Sequence, residues 1–322
     1  MLRVKELISK ESRLYIIDGN AFQRSQRTGT YVLIGDEITL IETGTSPSVQ
    51  YILEGLKLLE IAPEMIKNII VTHVHLDHAG AAGLMMKYCT NATLFVHPRG
   101  ARHMINPDKL IKGTKLIYGD SFDQFFIPIV NVPENRIHTV KDGETLKISR
   151  NRILTFYDTP GHATHHISIY DSLTNGIFTG DTMGVYYNEL NRFGVELYIP
   201  ATSPPQFQLE EMLESQERIK NMGVDHIYFG HYGMTSNIFE VYRQIKDHLS
   251  IFIEIGKEVL KYESNLEIAS KQVTSLLFEK LQTNLIKQGI PQTNSFFKEV
   301  LKPDLYMCAM GIVTYLAEQD KA

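Results

Sequence analysis

Short apolar runs separated by turns occupy the first 43 residues and predict β-strands. The runs are rich in β-branched and aromatic residues, alternate with segments containing Gly or Asp, and occupy residues 14–17, 30–34 and 38–41. Apolar residues then recur at helical spacing from Ile52 to Leu59, and another strand-like run follows at 68–72. The pattern therefore predicts an antiparallel start that changes into alternating strand and helix.

The rest of the chain repeats the strand and helix pattern and then becomes helical. The predicted elements of this second half are strands between residues 136 and 179, a helix at 209–222 and a strand at 226–229. Residues 99–126 have weak periodicity and are predicted as a mixed, partly helical insertion. After Gly233 the apolar spacing is helical. We therefore predict an α/β domain over residues 1–235 and a C-terminal α-helical cap over residues 236–322.

Composition narrows the possible partners and the compartment. The 322 residues carry 32 Lys and Arg against 37 Asp and Glu, a net charge of −5, which gives no bulk positive field to attract nucleic acid. No apolar run approaches the roughly 18 residues of a membrane helix, and residues 1–13 lack the apolar core of a signal peptide. Cys89 and Cys308 lie among apolar neighbours, as buried free thiols do. We expect a cytoplasmic protein with no nucleic-acid or membrane partner.

A dense group of metal-ligand side chains follows the predicted strand at 68–72. The sequence Thr-His-Val-His-Leu-Asp-His over residues 72–78 places three imidazoles and one carboxylate where the chain leaves the sheet. Imidazole nitrogens and carboxylate oxygens are ligands that zinc and similar ions prefer. His73 and His75 are two residues apart and would point to one ion. Asp77 and His78 would serve a second ion.

Three further candidates stand at the ends of later predicted strands. Each is a glycine followed by a ligand residue, in the pairs Gly161-His162, Gly180-Asp181 and Gly230-His231. Glycine lets the backbone turn sharply and approach a crowded ion. One such pair is usually only a turn, but three in this order indicate a shared site.

With these residues, the sequence resembles the metallo-β-lactamase superfamily, whose pattern is His-x-His-x-Asp-His, then Gly-His, an Asp and a final His. The resemblance extends from about residue 15 to residue 233 and implies a four-layer αβ/βα sandwich. It implies two divalent metal ions per chain, of which zinc is favoured and iron or manganese are alternatives. The implied ligands are His73, His75 and His162 for the first ion, Asp77, His78 and His231 for the second, and Asp181 bridging both.

The resemblance also implies a hydrolase of the glyoxalase II, lactonase or thioesterase type. A hydroxide held between the ions by Asp181 would attack an ester, a thioester or a lactone of a small-molecule substrate, and Asp77 would pass a proton to the leaving group. Classical β-lactamases usually lack the bridging Asp, so β-lactam hydrolysis is not expected. In acyl-homoserine lactonases a tyrosine follows that Asp by three residues. Gly184 stands there, whereas Tyr186 and Tyr187 come later, which counts against a lactonase.

Other readings of the same residues stay open. His166 corresponds to a second imidazole of the family pattern and is expected to pack beside the ligands rather than bind an ion. A metal-binding regulatory or redox module with little turnover is one alternative function, and a phosphodiesterase of the same fold is another. A homodimer formed through the helical tail is possible.

Overall fold

The computed structural model describes residues 3–319, and the parts of our predictions that fall on residues 1–2 and 320–322 lie outside that range. The chain divides into two compact units. The first unit contains residues up to 159 together with 165–180 and 222–238, and the second contains 160–164, 181–221 and the residues from 239 onward. The predicted domain boundary at residue 235 stays a prediction.

The strands and α-helices are numbered in chain order over the described residues. The strands are β1 (Val4–Glu6), β2 (Leu14–Asp18), β3 (Gly29–Ile34), β4 (Ile38–Ile41), β5 (Ile66–Ile70), β6 (Thr93–Val96), β7 (Ile137–Thr139), β8 (Thr145–Ser149), β9 (Arg152–Asp158), β10 (Ile167–Asp171), β11 (Gly176–Gly180), β12 (Val185–Tyr186), β13 (Tyr198–Ile199), β14 (His226–Phe229) and β15 (Met234–Thr235). The α-helices are α1 (Val49–Leu58), α2 (Leu76–Ala79), α3 (Ala82–Tyr88), α4 (Pro98–Ile105), α5 (Asp108–Tyr118), α6 (Phe122–Phe126), α7 (Leu209–Asn221), α8 (Ile238–Leu260), α9 (Leu266–Lys287) and α10 (Lys302–Gln319).

Two mixed sheets form the first unit. The first sheet has the order β1-β2-β3-β4-β5-β6-β7, antiparallel as far as β4 and parallel from β4 to β7. The second sheet has the order β15-β14-β11-β10-β9-β8 and is antiparallel except between β11 and β14. The predicted change from antiparallel to parallel pairing therefore occurs where the helical spacing begins.

The two sheets share an apolar core, and helices cover the other face of the first sheet. Residues of β3 such as Tyr31 pack with Phe156 and Phe178 of the second sheet, and the Tyr31 hydroxyl lies 2.7 Å from the carbonyl oxygen of Phe229. On the other face, α1 and α3 bury Ile52 and Met85, among others, against the sheet. This alternation of strand faces between two cores explains the nearly continuous apolar runs in the sequence.

The second unit is mainly helical. Its core is formed by apolar residues of α8, α9 and α10 together with residues between 185 and 212. Helices α9 and α10 pack along each other. Gly256 of α8 allows a close approach, because a Cβ there would lie 2.7 Å from the Ile312 side chain. None of the helices within residues 3–319 is both long and apolar enough to cross a lipid bilayer. Both cysteines are buried and free, as expected.

Candidate metal centre

The histidine-rich segment joins the end of β5 to α2. His75 is the residue before the first turn of α2, and its carbonyl accepts the backbone N–H groups of His78 and Ala79 at 3.0 and 2.8 Å. The segment leaves the sheet at the carboxyl end of a parallel strand, which is where α/β sheets place their ligands. The turn therefore brings four ligand side chains to one sheet edge in the first unit.

Ligand atoms in this segment lie at distances that suit a shared metal ion. His73 Nε2 is 3.1 Å from His75 Nδ1, and Asp77 Oδ2 is 3.7 Å from His78 Nε2 and 3.6 Å from His231 Nε2. Metal–nitrogen bonds of ~2.0–2.1 Å at a tetrahedral ion place two ligand atoms roughly 3.3 Å apart. The ligand atoms of Asp77, His78 and His231 all lie within 4.8 Å of one another. These three side chains therefore can hold one ion.

In His73 and His231, the ring nitrogen away from the neighbouring donor atoms faces a partner that orients the ring. His73 Nδ1 lies 3.0 Å from Thr72 Oγ1, and His231 Nδ1 lies 3.1 Å from the carbonyl oxygen of Arg27. Because a carbonyl only accepts, the hydrogen of His231 is assigned to Nδ1, and Nε2 presents a lone pair toward Asp77. Such partners are typical of histidines that bind metals.

Glu42 is a candidate functional residue that was not predicted from the sequence. It follows β4, is 2% exposed, and has a backbone φ of +68°, a strained conformation for a non-glycine residue. Its Oε1 lies 3.6 Å from His78 Nδ1 and accepts hydrogen bonds from the backbone N–H and the hydroxyl of Thr72. A buried carboxylate behind a ligand imidazole fixes the ring and raises its basicity. The available indication was a charged residue directly after the apolar run 38–41.

Two of the three predicted glycines allow close packing against the imidazoles of the first unit. A Cβ at Gly230 would lie 2.6 Å from His78 Cε1, and a Cβ at Gly180 would lie 2.6 Å from His166 Nε2. Gly180 also has a backbone φ of +47°, which residues with a Cβ rarely adopt. The glycine before the ligand thus makes room for a neighbouring ring.

His162 and Asp181 belong to the second unit. His162 Nε2 lies 3.5 Å from Asp181 Oδ2, and His162 Nδ1 donates to the carbonyl of Ala201 at 2.8 Å. Asp181 directly follows Gly180, the last residue of β11, and His162 lies in the segment 160–164. The two predicted ligands are therefore together, with His162 oriented by a carbonyl as His231 is.

The remaining candidates have structural partners. His166 packs beside the predicted ligand His73: the two ring centroids are 4.9 Å apart, and His166 Nδ1 lies 3.0 Å from Thr159 Oγ1. The backbone N–H of Val74 donates to His165 Nδ1 at 3.5 Å. Tyr187, in the second unit, donates to Asp304 Oδ2 at 2.9 Å.

The chemistry of the donor set fits divalent first-row ions. Burying carboxylates and imidazoles costs folding free energy unless they are paired or bind a cation. Zinc, iron and manganese all accept this mixture of nitrogen and oxygen donors. A mixed α/β sandwich with such a cluster at a sheet edge is the architecture of a metallo-hydrolase superfamily.

The metallo-beta-lactamase superfamily model matches residues 25–231, and the chain belongs to this superfamily. A probable metallo-hydrolase of Methanocaldococcus jannaschii is 29% identical over 63% of this chain and 87% of that protein. An atrochrysone carboxyl ACP thioesterase of Aspergillus fumigatus is 25% identical over 71% of this chain and 58% of that protein. The predicted family is therefore confirmed.

A solved structure confirms the fold class. The crystal structure of an archaeal metallo-beta-lactamase superfamily protein from Sulfolobus tokodaii superposes with a TM-score of 0.65, covering 93% of this chain and 97% of that chain at 20% identity. The predicted metallo-β-lactamase sandwich with added C-terminal helices agrees with this match. A likeness at this identity concerns the fold alone.

Proposed function

We propose that the protein is a dinuclear metal-dependent hydrolase that cleaves an acyl bond in an ester, a thioester or a lactone. The observation that carries the proposal is the convergence of Asp77, His78 and His231, whose ligand atoms lie within 4.8 Å of one another. His73 and His75 supply a second pair of nitrogens 3.1 Å apart. Two neighbouring donor groups at one sheet edge favour two ions rather than one.

In this proposal His162 and Asp181 complete the centre. His73, His75 and His162 would hold the first ion, Asp77, His78 and His231 would hold the second, and Asp181 would serve both. Family membership supports the assignment, because the chain carries the ligand order of the superfamily pattern: His-x-His-x-Asp-His, then Gly-His, an Asp and a final His. Zinc is the favoured ion, with iron and manganese as alternatives.

The residues of the chain position the reacting groups. When bound, a pair of divalent ions supplies a water of lowered pKa and polarises a carbonyl oxygen. His73 and His78 are buried, so the ligand side of the site is shielded from bulk water. The Asp77 side chain is 22% exposed, and its Oδ2 faces both His78 and His231. Asp77 is thus placed to hold a proton and deliver it to the leaving group.

An apolar wall beside the ligand segment supports an acyl substrate. Leu76, between His75 and Asp77, belongs to a buried cluster with Phe122 and Phe126. The aromatic wall is defined by Phe22, Tyr118, Phe122, Phe125 and Phe126, which contact one another at ring distances such as 4.9 Å between Tyr118 and Phe126. Phe22, Tyr118 and Phe125 are partly exposed. Binding sites for organic ligands are mostly apolar with a few polar groups, as here.

The Aspergillus fumigatus relative adds support for a thioester among the three bond types, since it is named as an ACP thioesterase. A small-molecule substrate, a cytoplasmic location and a homodimer stay predictions. The net charge of −5 still favours a partner other than nucleic acid.

Proton release at constant pH tests the proposal. Zinc-loaded protein is assayed near pH 8 with acetyl and octanoyl forms of an ester and a thioester, with a lactone that bears a pendant acetyl or octanoyl group, and with an activated phosphodiester. We expect hydrolysis of one acyl class and faster turnover of its octanoyl member, because the longer chain contacts the aromatic wall. Turnover of the phosphodiester alone would contradict the acyl assignment, and no turnover would favour a regulatory module.

A pair of variants ties any activity to the proposed centre. Asp181→Ala should reduce hydrolysis to the background rate, because it removes the carboxylate proposed to contact both ions. Asp225→Ala is the matched control, since Asp225 is exposed and accepts a hydrogen bond from Asn175 at the surface. Hydrolysis by Asp181→Ala at the rate of the control would remove the centre from the mechanism.

A further inference from the structure

One short segment of the second unit connects a predicted metal ligand to the C-terminal helix. Pro200, Ala201 and Thr202 follow β13, and the carbonyl of Ala201 accepts the hydrogen bond from His162 Nδ1 at 2.8 Å. His162 is 1% exposed, so this bond is shielded from water. The orientation of the imidazole therefore depends on where this backbone segment lies.

Helix α10 holds the segment on both sides of Ala201. The Cys308 thiol donates to the carbonyl of Pro200 at 3.3 Å, and the Thr202 hydroxyl donates to the carbonyl of Cys308 at 3.0 Å. All the residues involved are buried. One residue of α10 thus bonds to both neighbours of Ala201, and we call Cys308 and Thr202 the clamp.

The close contact between α10 and residues 200–202 also requires a glycine at position 311 of the helix. Gly311 lies three residues after Cys308, on the same face of the helix. A Cβ at Gly311 would lie 1.6 Å from the carbonyl oxygen of Thr202, so any other residue would displace the helix or the segment. This packing fixes the distance between α10 and the backbone that carries Ala201.

The thiol is suited to a permanent donor role. Complete burial raises the pKa of Cys308 to about 12, so the thiol keeps its proton over the whole physiological range. A thiol that stays protonated is a poor nucleophile. Its contribution here is its packing and its hydrogen bond to Pro200.

We propose that α10 is a positioning element for the ligand His162, acting through the clamp and the Ala201 carbonyl. The carbonyl holds the proton on Nδ1, so that Nε2 presents its lone pair 3.5 Å from Asp181 Oδ2. The inference deepens the proposed function and depends on its assignment of His162 as a ligand. It gives the C-terminal helices a role in holding metal in addition to the predicted role as a cap.

Zinc affinity tests the positioning role without any substrate. Affinities are measured by competition with a chromophoric chelator, and zinc per chain is counted on the same samples. Thr202→Val and Cys308→Ala remove the two hydrogen bonds of the clamp with little change in volume. We expect each to weaken zinc binding by roughly tenfold, the lower end for partners of metal-bound histidines. Cys308→Ser keeps a donor and should restore most of the affinity.

A matched control separates positioning from general stability. Thr274 of α9 is also buried, and its hydroxyl donates to the carbonyl of Ser270 at 2.7 Å. Thr274→Val should lower the unfolding temperature about as much as Thr202→Val while leaving zinc affinity within a factor of about two. Wild-type zinc affinity in Thr202→Val, or equal weakening in Thr274→Val, would overturn the positioning role.

The two proposals fail in distinguishable ways. A clamp effect on zinc affinity without hydrolysis of any substrate would support the positioning role and remove the hydrolase function. Hydrolysis with clamp variants that bind zinc as the wild type does would leave the hydrolase function and remove the positioning role. A wild-type chain that binds no zinc, iron or manganese would overturn both.

Discussion

At the scale of single residues, the sequence identifies candidate metal-binding side chains but not the partners that orient their imidazoles. The candidates form contiguous motifs, such as residues 72–78, in which the residue types alone indicate metal chemistry. Their partners come from distant positions: the carbonyl that accepts from His231 belongs to Arg27, 204 residues away. Every residue has a backbone carbonyl, so the sequence does not show which carbonyl accepts a hydrogen bond from a given histidine. Glu42 cannot be told from other acidic residues until its burial is known.

Glu42→Gln tests whether the buried carboxylate supports His78. The substitution keeps the size of the side chain and removes the negative charge 3.6 Å from His78 Nδ1. We expect zinc affinity to fall by roughly tenfold or more, because the imidazole loses the charge that raises its basicity. Glu37→Gln, at an exposed carboxylate bonded to Asn68, is the control in the same chelator competition. Equal affinities of the two variants would contradict a role for Glu42.

His248 should make stability depend on pH. Burial lowers the pKa of His248, and the nearby Arg243 charge lowers it further. The hydrogen bond to the Tyr198 carbonyl and the charges of Asp247 and Glu240 raise the pKa, but their effect is smaller than that of burial. Below the unfolded pKa of about 6.5 the unfolded chain binds more protons than the folded chain. The stabilisation is therefore fully present above about pH 6.5 and is lost as the pH falls toward the lowered folded value.

The measurement is the free energy of unfolding of the wild type and of His248→Gln, from denaturant titrations at about pH 7.5 and about pH 5.5. The wild type should lose more stability than the variant over this interval, because glutamine does not titrate. Parallel losses in the two proteins would show that His248 is not the titrating group.

At the scale of elements, the sequence pattern was informative where an element is covered by a core. The helix predicted over residues 209–222 is α7 (Leu209–Asn221), which buries Met212 and Ile219. The insertion at 99–126 has weak periodicity because α5, in its middle, contains no fully buried residue. A helix that buries no residue completely does not need a continuous apolar face.

A buried ion pair joins β9 to β10. Arg152 is 1% exposed and donates from Nε and Nη2 to the two carboxylate oxygens of Asp171 at 2.9 and 2.6 Å, and from Nη1 to the Ser12 carbonyl. Removing one partner leaves a buried charge uncompensated, which costs about 3–5 kcal/mol. We expect Arg152→Met to lose stability in this range.

Denaturant unfolding checks this prediction against an exposed arginine. Arg243 on α8 pairs with Glu240 and Asp247 at the surface, and exposed pairs contribute less than about 1 kcal/mol. A loss in Arg152→Met no larger than in Arg243→Met would mean that the buried pair does not stabilise the second sheet.

At the scale of the whole molecule, the fold class could be predicted because strand pattern and ligand order together are specific to one superfamily. The division into compact units could not be. Residues 160–164 and 181–221 lie between strands of the first unit in sequence, yet they group with the helices beyond residue 239. The division into compact units depends on contacts between residues that are distant in sequence, and hydrophobic periodicity predicts only local secondary structure.

Titration of the metal-free protein with zinc, with hydrolysis recorded on the same samples, tests whether two bound ions are required for hydrolysis. The proposed dinuclear centre predicts that hydrolysis of the preferred acyl substrate rises with added zinc, reaches its maximum at two ions per chain, and is abolished by a chelator. Hydrolysis that is independent of zinc, iron and manganese and survives the chelator would contradict the account.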